Sequence, residues 1–158
     1  MDRSTAVRDQ LTDAWLPAIY EQKVRMQRTR SYSLDVPQRC NIAEIQYTLL
    51  GIELKIGKRR FACPDLATAR YLRIFVRLGC TNFAIPYDIT KISVIADELE
   101  TAWQKMLLTI EVESRDIPTA GKSRLKNQLL KAIRREISEI GAGTAMPDFK
   151  SETRQRNR

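Results

Sequence analysis

Three arginines within the segment Phe61–Cys80 have the spacing of a binding surface. Arg70, Arg73 and Arg77 lie three and four residues apart, so on a helix they fall within about 60° of one another. The planar guanidinium group suits phosphate or carboxylate ligands. The spacing predicts a basic ridge that contacts an anionic partner, and it equally fits the solvated face of a helix that is otherwise buried.

The cysteines do not form a metal-binding pattern. Cys40, Cys63 and Cys80 are far apart in sequence, and the chain has no histidine. Structural zinc requires four cysteine or histidine ligands, which usually occur in close pairs. We therefore expect no metal and no cofactor, with Cys63 and Cys80 as small buried hydrophobes. A disulfide between these two remains an alternative that the sequence leaves open.

Catalysis has little support in the residue types present. Histidine is the usual general base near neutral pH, and a cysteine nucleophile would also lack it as a partner. Carboxylates such as Asp97 and Glu100 lie on the polar face of an amphipathic pattern and are interpreted as solvated charges. The sequence predicts a protein that is not an enzyme.

The segment TAGKS at 119–123 is similar to the end of a phosphate-binding loop. The full pattern GxxxxGK[ST] requires glycine at position 116, where this chain has Asp116. We interpret Gly121 as a turn residue and Ser123 as the N-cap of the last helix, so nucleotide binding is not expected.

Positive charge is unevenly distributed along the chain. The formal net charge is +8, while residues 61–100 hold four basic and five acidic side chains and residues 101–158 hold twelve and seven. On the last predicted helix, Arg124, Lys131 and Arg135 share one face. The C-terminal tail adds four further cations: Lys150, Arg154, Arg156 and Arg158. A third basic cluster comprises Lys23, Arg25, Arg28 and Arg30. Such surfaces bind nucleic acid, anionic membranes or acidic proteins.

Periodicity predicts an α+β domain, with a small antiparallel sheet (a hairpin plus one or two strands) packed by about four helices. Residues 1–30 form a helical segment that Pro17 kinks or divides, and residues 31–41 form a linker. Strands are expected at 44–50 and 52–56, with a two-residue turn at Gly57-Lys58 before a further strand at 59–63. The core domain spans 42–142, and 143–158 forms a mobile basic tail.

Four further elements complete the predicted core domain. Pro64-Asp65 opens a helix over 65–78, which ends at Gly79, and a short strand follows at 80–87. Asp88 caps a long helix with a wide apolar stripe, and the last helix runs to Ile140. The apolar faces of these helices, together with Trp15, Leu16, Ile19 and Tyr20, either pack on each other or form an interface, including one between identical chains.

Composition favours a folded cytoplasmic protein. Apolar residues make up 43% of the chain, but no window approaches the roughly 20 apolar residues of a transmembrane helix, and the N-terminus lacks the apolar core of a signal peptide.

Stacking platforms for single-stranded nucleic acid are few. The aromatic candidates for that role are Tyr32, Tyr47, Tyr71 and Tyr87.

Taken together, these features predict an adaptor or regulatory subunit that docks an acidic protein partner through basic faces and amphipathic helices. Direct RNA or DNA binding through the last helix and the tail is the alternative.

Overall fold

The computed structural model describes residues 2–36 and 42–143. The helices are α1 (Arg3–Leu11), α2 (Leu16–Ile19), α3 (Leu66–Leu78), α4 (Ile89–Glu113) and α5 (Thr119–Ile140). The strands are β1 (Thr29–Ser33), β2 (Ala43–Thr48), β3 (Gly51–Ile56), β4 (Arg59–Cys63) and β5 (Asn82–Pro86). The predicted α+β class is confirmed, and the strands form two antiparallel sheets in the orders β1-β5 and β2-β3-β4. Cys40 and the tail from residue 144 lie outside the described residues.

The N-terminal helical segment is divided at the predicted proline. A 3₁₀ turn (Thr12–Ala14) follows α1, and α2 then begins at Leu16 with Pro17 in its first turn, where a missing N–H costs no helical hydrogen bond. A π-helical turn (Tyr20–Val24) continues α2. The apolar side chains predicted for this segment are buried in the same core as those of α3, α4 and α5, so they pack within the fold.

The three-stranded sheet follows the predicted hairpin pattern. Ile56 pairs with Arg59 across the Gly57-Lys58 turn, and Gly57 takes the positive φ of 61° that a two-residue turn requires. Because side chains alternate along a strand, Leu54 and Ile56 face α3 and are buried. The opposite face carries polar side chains, including the ion pair of Arg60 and Glu53 at 3.5 Å.

The linker prediction was wrong at its beginning, because residues 29–33 form strand β1. This strand pairs antiparallel with β5, and Ser31 lies opposite Ala84. The segment Thr-Arg-Ser-Tyr-Ser has no alternation of apolar and polar residues, so it carries no strand signal of its own. Its conformation depends on a partner about fifty residues away in sequence.

The ends of α3 and α4 are set by local signals that the sequence shows. Asp65 accepts a hydrogen bond from the Thr68 N–H at 2.7 Å, and Gly79 ends α3 with a φ of 83°. Asp88 caps α4, and the hydrogen bonds that its carboxylate accepts from Thr90 lower its pKa. The predicted end of α3 at Gly79 and the predicted N-cap of α4 at Asp88 are confirmed.

The last helix begins earlier than predicted. It starts at Thr119 after Pro118, so Gly121 and Ser123 lie inside α5 and are neither a turn nor a cap. A Cβ at position 121 would lie 3.1 Å from the Ile117 side chain, which explains why glycine fits there. The segment TAGKS is therefore helical and forms no phosphate-binding loop. The Lys122 side chain pairs with Glu111 at 3.1 Å.

The centre of the core is an aromatic cluster around β5. Phe75 of α3 stacks on Phe83 of β5 with ring centroids 4.2 Å apart, and both rings are fully buried. Next to them, the Tyr20 hydroxyl accepts a hydrogen bond from the Ala84 N–H at 2.8 Å, and the Tyr71 hydroxyl donates to the Ala84 carbonyl at 2.6 Å. Burial raises the pKa of both phenols, which therefore keep their protons.

These two tyrosines should contribute measurably to stability. The substitution Tyr71→Phe leaves the buried Ala84 carbonyl without its donor, so the free energy of unfolding should fall by about 1–3 kcal/mol. Tyr20→Phe should cost at least as much, since its hydroxyl also donates to the Gly141 carbonyl at 2.6 Å. Urea unfolding followed by circular dichroism measures both, with the exposed Tyr47→Phe as the matched control. Equal stability of all three variants would contradict this role.

Candidate functional site

The basic stripe predicted on the last helix lies on the outer face of α5. Its apolar residues point into the core: Leu125, Leu129, Leu130, Ile133 and Ile137. At 100° per residue, Arg124, Lys131 and Arg135 lie on the opposite side, and all three are exposed. We call this surface the α5 basic face. It spans about 16 Å from the first residue to the last, at 1.5 Å per residue.

The six cations of α5 divide into two sets. Lys122 pairs with Glu111, Lys126 lies 5.6 Å from the centroid of the Trp103 ring, and Arg134 donates to the Leu78 carbonyl at 3.0 Å. The last contact places a positive charge at the C-terminus of α3, where the helix dipole favours it. Within residues 2–36 and 42–143, the cations of the α5 basic face form no ion pair, hydrogen bond or cation–π contact. On α5, the cations without a partner are therefore the three that the sequence predicted as a binding face.

The arginine ridge of α3 has a different environment. Arg70 pairs with Asp97 at 2.6 Å, while Arg73 and Arg77 both pair with Glu100, at 3.0 and 3.1 Å. Both carboxylates bind this ridge across the α3–α4 contact. The interpretation of Glu100 as a solvated charge was therefore wrong, since it is 20% exposed, whereas Asp97 is paired but remains largely in solvent. Long-range packing supplies the acids that the helix itself lacks.

The third basic cluster lies before and within β1. Arg25 donates to Thr29 at 3.2 Å and also to the Gly143 carbonyl. The guanidinium of Arg28 lies 4.8 Å from the centroid of the Tyr87 ring, and that of Arg30 lies 5.7 Å from the Tyr32 ring. These contacts hold the two arginines through aromatic rings, and their charges are not neutralised by a carboxylate in the described part of the chain.

The predicted aromatic platforms are mostly occupied. Tyr71 is buried in the core, and Tyr32 stacks on Phe83 with ring centroids 5.9 Å apart. Arginine side chains cover Tyr32 and Tyr87, while Tyr47 is 71% exposed at the end of β2. None of these rings belongs to α5, so the α5 basic face lacks the stacking groups that single-strand binders use.

The remaining candidate residues are the arginines of the tail and the cysteines. Arg154 and Arg156 lie outside the described residues. Among those that are described, no group of three or more histidine, cysteine, aspartate or glutamate side chains could hold a metal ion, and no helix is long and apolar enough to cross a membrane. Cys63 and Cys80 are free thiols and buried, as predicted. Burial raises the pKa of both, that of Cys80 to about 12.

A surface cleft of about 740 Å³ lies between the end of α1 and α4. Its walls carry both signs of charge, from Asp13, Lys23, Asp97 and Lys105. Thr12, with the unusual φ of 49°, also lines it.

The two carboxylates of the ridge should differ in their contribution to stability. Glu100 binds two arginines and is 20% exposed, so Glu100→Gln should lower the free energy of unfolding by about 1–3 kcal/mol. Asp97 is 66% exposed and water screens its pair, so Asp97→Asn should cost less than about 1 kcal/mol. Denaturant titration compares the two variants. A larger loss from Asp97→Asn would contradict this assignment.

The buried thiols should react slowly in the folded protein. A thiol pKa near 12 instead of 9.0 leaves about a thousandfold less thiolate at pH 8. In a Cys40→Ser variant, Ellman's reagent should therefore modify Cys80 far more slowly in the folded protein than in the unfolded chain. Because the raised pKa keeps the Cys80 thiol protonated, the rate at which the reagent modifies it in the folded protein should keep rising with pH above 9. Fast labelling at pH 8 without unfolding would contradict the burial of this thiol, and guanidinium-unfolded protein provides the reference rate.

Comparisons with protein-family models, curated proteins and solved structures gave no match to this chain. The α5 basic face is therefore interpreted from its own residues.

Proposed function

We propose that this protein is a non-enzymatic interaction protein, an adaptor or regulatory subunit that docks an acidic protein partner through the α5 basic face. One observation carries the proposal. Three cations of α5 contact other parts of the fold, whereas Arg124, Lys131 and Arg135 extend into solvent with no partner in the described residues.

The geometry of this face suits an extended or helical acidic surface. The cations follow one line along a rigid helix, so their spacing is fixed before a partner arrives. Carboxylates distributed along a similar length could bind them without rearrangement of the backbone, which lowers the entropic cost of association. Complementary charge of this kind mainly accelerates encounter and selects the partner. The proposal places this interaction in the cytoplasm.

Direct RNA or DNA binding is the second candidate, and the same stripe of cations favours it. Phosphate contacts need positive charge and no special residue pattern. Sequence-tolerant binding of single strands also uses aromatic stacking, and α5 offers no such ring on its exposed face. The acidic protein partner is therefore the better supported of the two.

A matched pair of triple variants tests the proposed surface. The first replaces Arg124, Lys131 and Arg135 by glutamine. The second replaces Lys91, Lys105 and Arg115 by glutamine, at exposed positions outside α5, and removes the same charge. Fluorescence anisotropy with a labelled polyglutamate of about 20 residues, at about 50 mM salt, should show affinity falling about 10- to 100-fold for the first variant and about twofold for the second.

The same titration separates the two candidates. A labelled single-stranded RNA and a DNA duplex are measured at about 50 and 200 mM salt, where a true nucleic-acid binder loses orders of magnitude in affinity. Tight, steeply salt-dependent RNA or DNA binding that the first triple abolishes would favour the second candidate. Equal losses from both triples would mean that net charge alone attracts polyanions, and the α5 basic face would lose its assignment.

A further inference from the structure

The exposed side of α4 carries a row of residues with the spacing of a coiled-coil seam. Its members lie four and three residues apart in alternation: Val94, Glu98, Thr101, Lys105, Leu108 and Val112. This spacing repeats every 3.5 residues, so the members stay on one side of the helix. We call this row the α4 outer seam. The buried apolar stripe of α4, from Ile92 to Ile110, lies on the opposite side.

The α4 outer seam leaves apolar surface in solvent. Val94, Leu108 and Val112 are 56%, 67% and 52% exposed. Grooves of about 740 and 450 Å³ lie on the two sides of the seam, and Thr101 and Lys105 line both of them. When two helices pack, the ridge of side chains on one fits into such grooves on the other. The outer side of α4 therefore has both the shape and the apolar side chains of a helix-packing surface.

The two charged members of the seam have no partner of opposite charge within the chain. In residues 2–36 and 42–143, neither Glu98 nor Lys105 forms an ion pair. They are seven residues apart, about 10 Å along the helix, so they do not reach each other. A second molecule can supply the charge that each of them lacks.

The seam is complementary to itself in the antiparallel direction. A two-fold axis through Thr101 brings residues that are equally far from it opposite one another. Val94 and Leu108 are each seven residues away, so their apolar side chains meet. Glu98 and Lys105 are three and four residues away, so each carboxylate of one copy lies beside an ammonium group of the other. A parallel arrangement would instead place glutamate beside glutamate and lysine beside lysine.

The charge of α4 also allows two copies to approach each other. The chain carries a net charge of +8, but α4 holds two basic and five acidic side chains. The excess of cations therefore lies on other parts of the chain, among them the α5 basic face. Repulsion between exposed cations more than about 8 Å apart is largely screened at physiological ionic strength.

We propose that two copies of this chain form a dimer through the α4 outer seam, with the two helices antiparallel about a two-fold axis at Thr101. A different protein would need the same order of apolar, acidic, neutral, basic and apolar positions, which a second copy supplies by symmetry. This inference goes beyond the proposed function and does not depend on it, because it uses a different helix.

Charge reversal on the seam tests the dimer. Sedimentation velocity of the full chain at about 100 µM should show a dimer that dissociates on dilution, as weak interfaces do. Glu98→Lys and Lys105→Glu each place like charges at both contacts, so each should weaken association at least about tenfold. The double variant restores opposite charges and should associate within about threefold of the wild type. Glu44→Lys and Lys58→Glu, at exposed positions of the three-stranded sheet, are the matched controls and should change little.

A mixture of the two single variants gives a result that misfolding does not imitate. The Glu98→Lys chain has two lysines at the seam and the Lys105→Glu chain has two glutamates, so the mixed dimer has opposite charges at both contacts. The mixture should form dimers at a concentration where each variant alone is monomeric. The proposal is overturned by a monomeric wild type at about 100 µM. It is also overturned if neither reversal weakens the dimer, or if both the double variant and the mixture stay monomeric.

The dimer and the α5 basic face are tested separately. The control triple of the polyglutamate titration includes Lys105, so it should form a weaker dimer than the triple variant of α5. The polyglutamate probe is short and binds α5 of one chain, so loss of the dimer should leave the outcome of that titration unchanged. Loss of polyglutamate binding in the α5 variant should likewise leave its dimer intact.

A cysteine cross-link locates the axis and the direction of the helices. In a Cys40→Ser background, Thr101→Cys should form an intermolecular disulfide under mild oxidation, because this residue faces its own copy. Val112→Cys is the matched control on the same seam. In antiparallel helices its two copies lie about 33 Å apart, so it should form no cross-link within the dimer. Equal cross-linking of the two variants, or none at Thr101, would overturn the antiparallel seam.

Discussion

The hydrogen bonds to Ala84 are the interaction on which the rest of this structure depends. An isolated pair of strands is only marginally stable in water, so β1 and β5 need support from outside the sheet. Tyr20 and Tyr71 supply it by binding the N–H and the carbonyl of one residue in the middle of β5. Tyr20 also binds the Gly141 carbonyl, directly after α5. The N-terminal segment, α3, β5 and the end of α5 therefore meet at a single backbone site.

This arrangement closes the β5 edge of the two-stranded sheet with side chains. Closing the β5 edge with tyrosines fixes the register, because β5 cannot slip by one residue without losing both hydroxyl contacts and exchanging its buried faces. Phe83 would leave its stack on Phe75 in the same movement. The strand on the outside, β1, is held by its pairing with β5, by the stacking of Tyr32 on Phe83 and by the burial of Thr29.

The distribution of paired charges follows the same packing. Where two helices meet with polar flanks, as α3 and α4 do, arginines of one helix bind carboxylates of the other. The sides of α5 meet α3 and α4, and the cations there also find partners. Its outer face meets no other described element, so Arg124, Lys131 and Arg135 stay in solvent. The +8 charge of the chain is therefore only partly exposed as a surface, and the fold decides which cations remain available.

The sequence predicted what local chemistry controls. Asp65, Gly79 and Asp88 each act within one helical turn, and Gly57 acts within a two-residue turn, so the ends of α3, the start of α4 and the β3–β4 hairpin could be located in advance. Strand β1 could not, because Thr-Arg-Ser-Tyr-Ser becomes a strand only when β5 is beside it. The start of α5 was misplaced because serine is a better N-cap than proline by residue type, which favoured Ser123 over Pro118. In the structure the helix begins at Thr119 and already runs through Ser123.

The basic faces of α3 and α5 illustrate the same limit. Periodicity grouped the cations of α3 and of α5 equally well, because it reports which residues share a helix face. Only tertiary packing shows what lies opposite that face, and Asp97 and Glu100 are more than twenty residues from the arginines they bind. Basic residues thus indicate that a chain can attract an anionic partner, while the place of contact follows from the charges and hydrogen-bonding groups that the fold leaves without an internal partner.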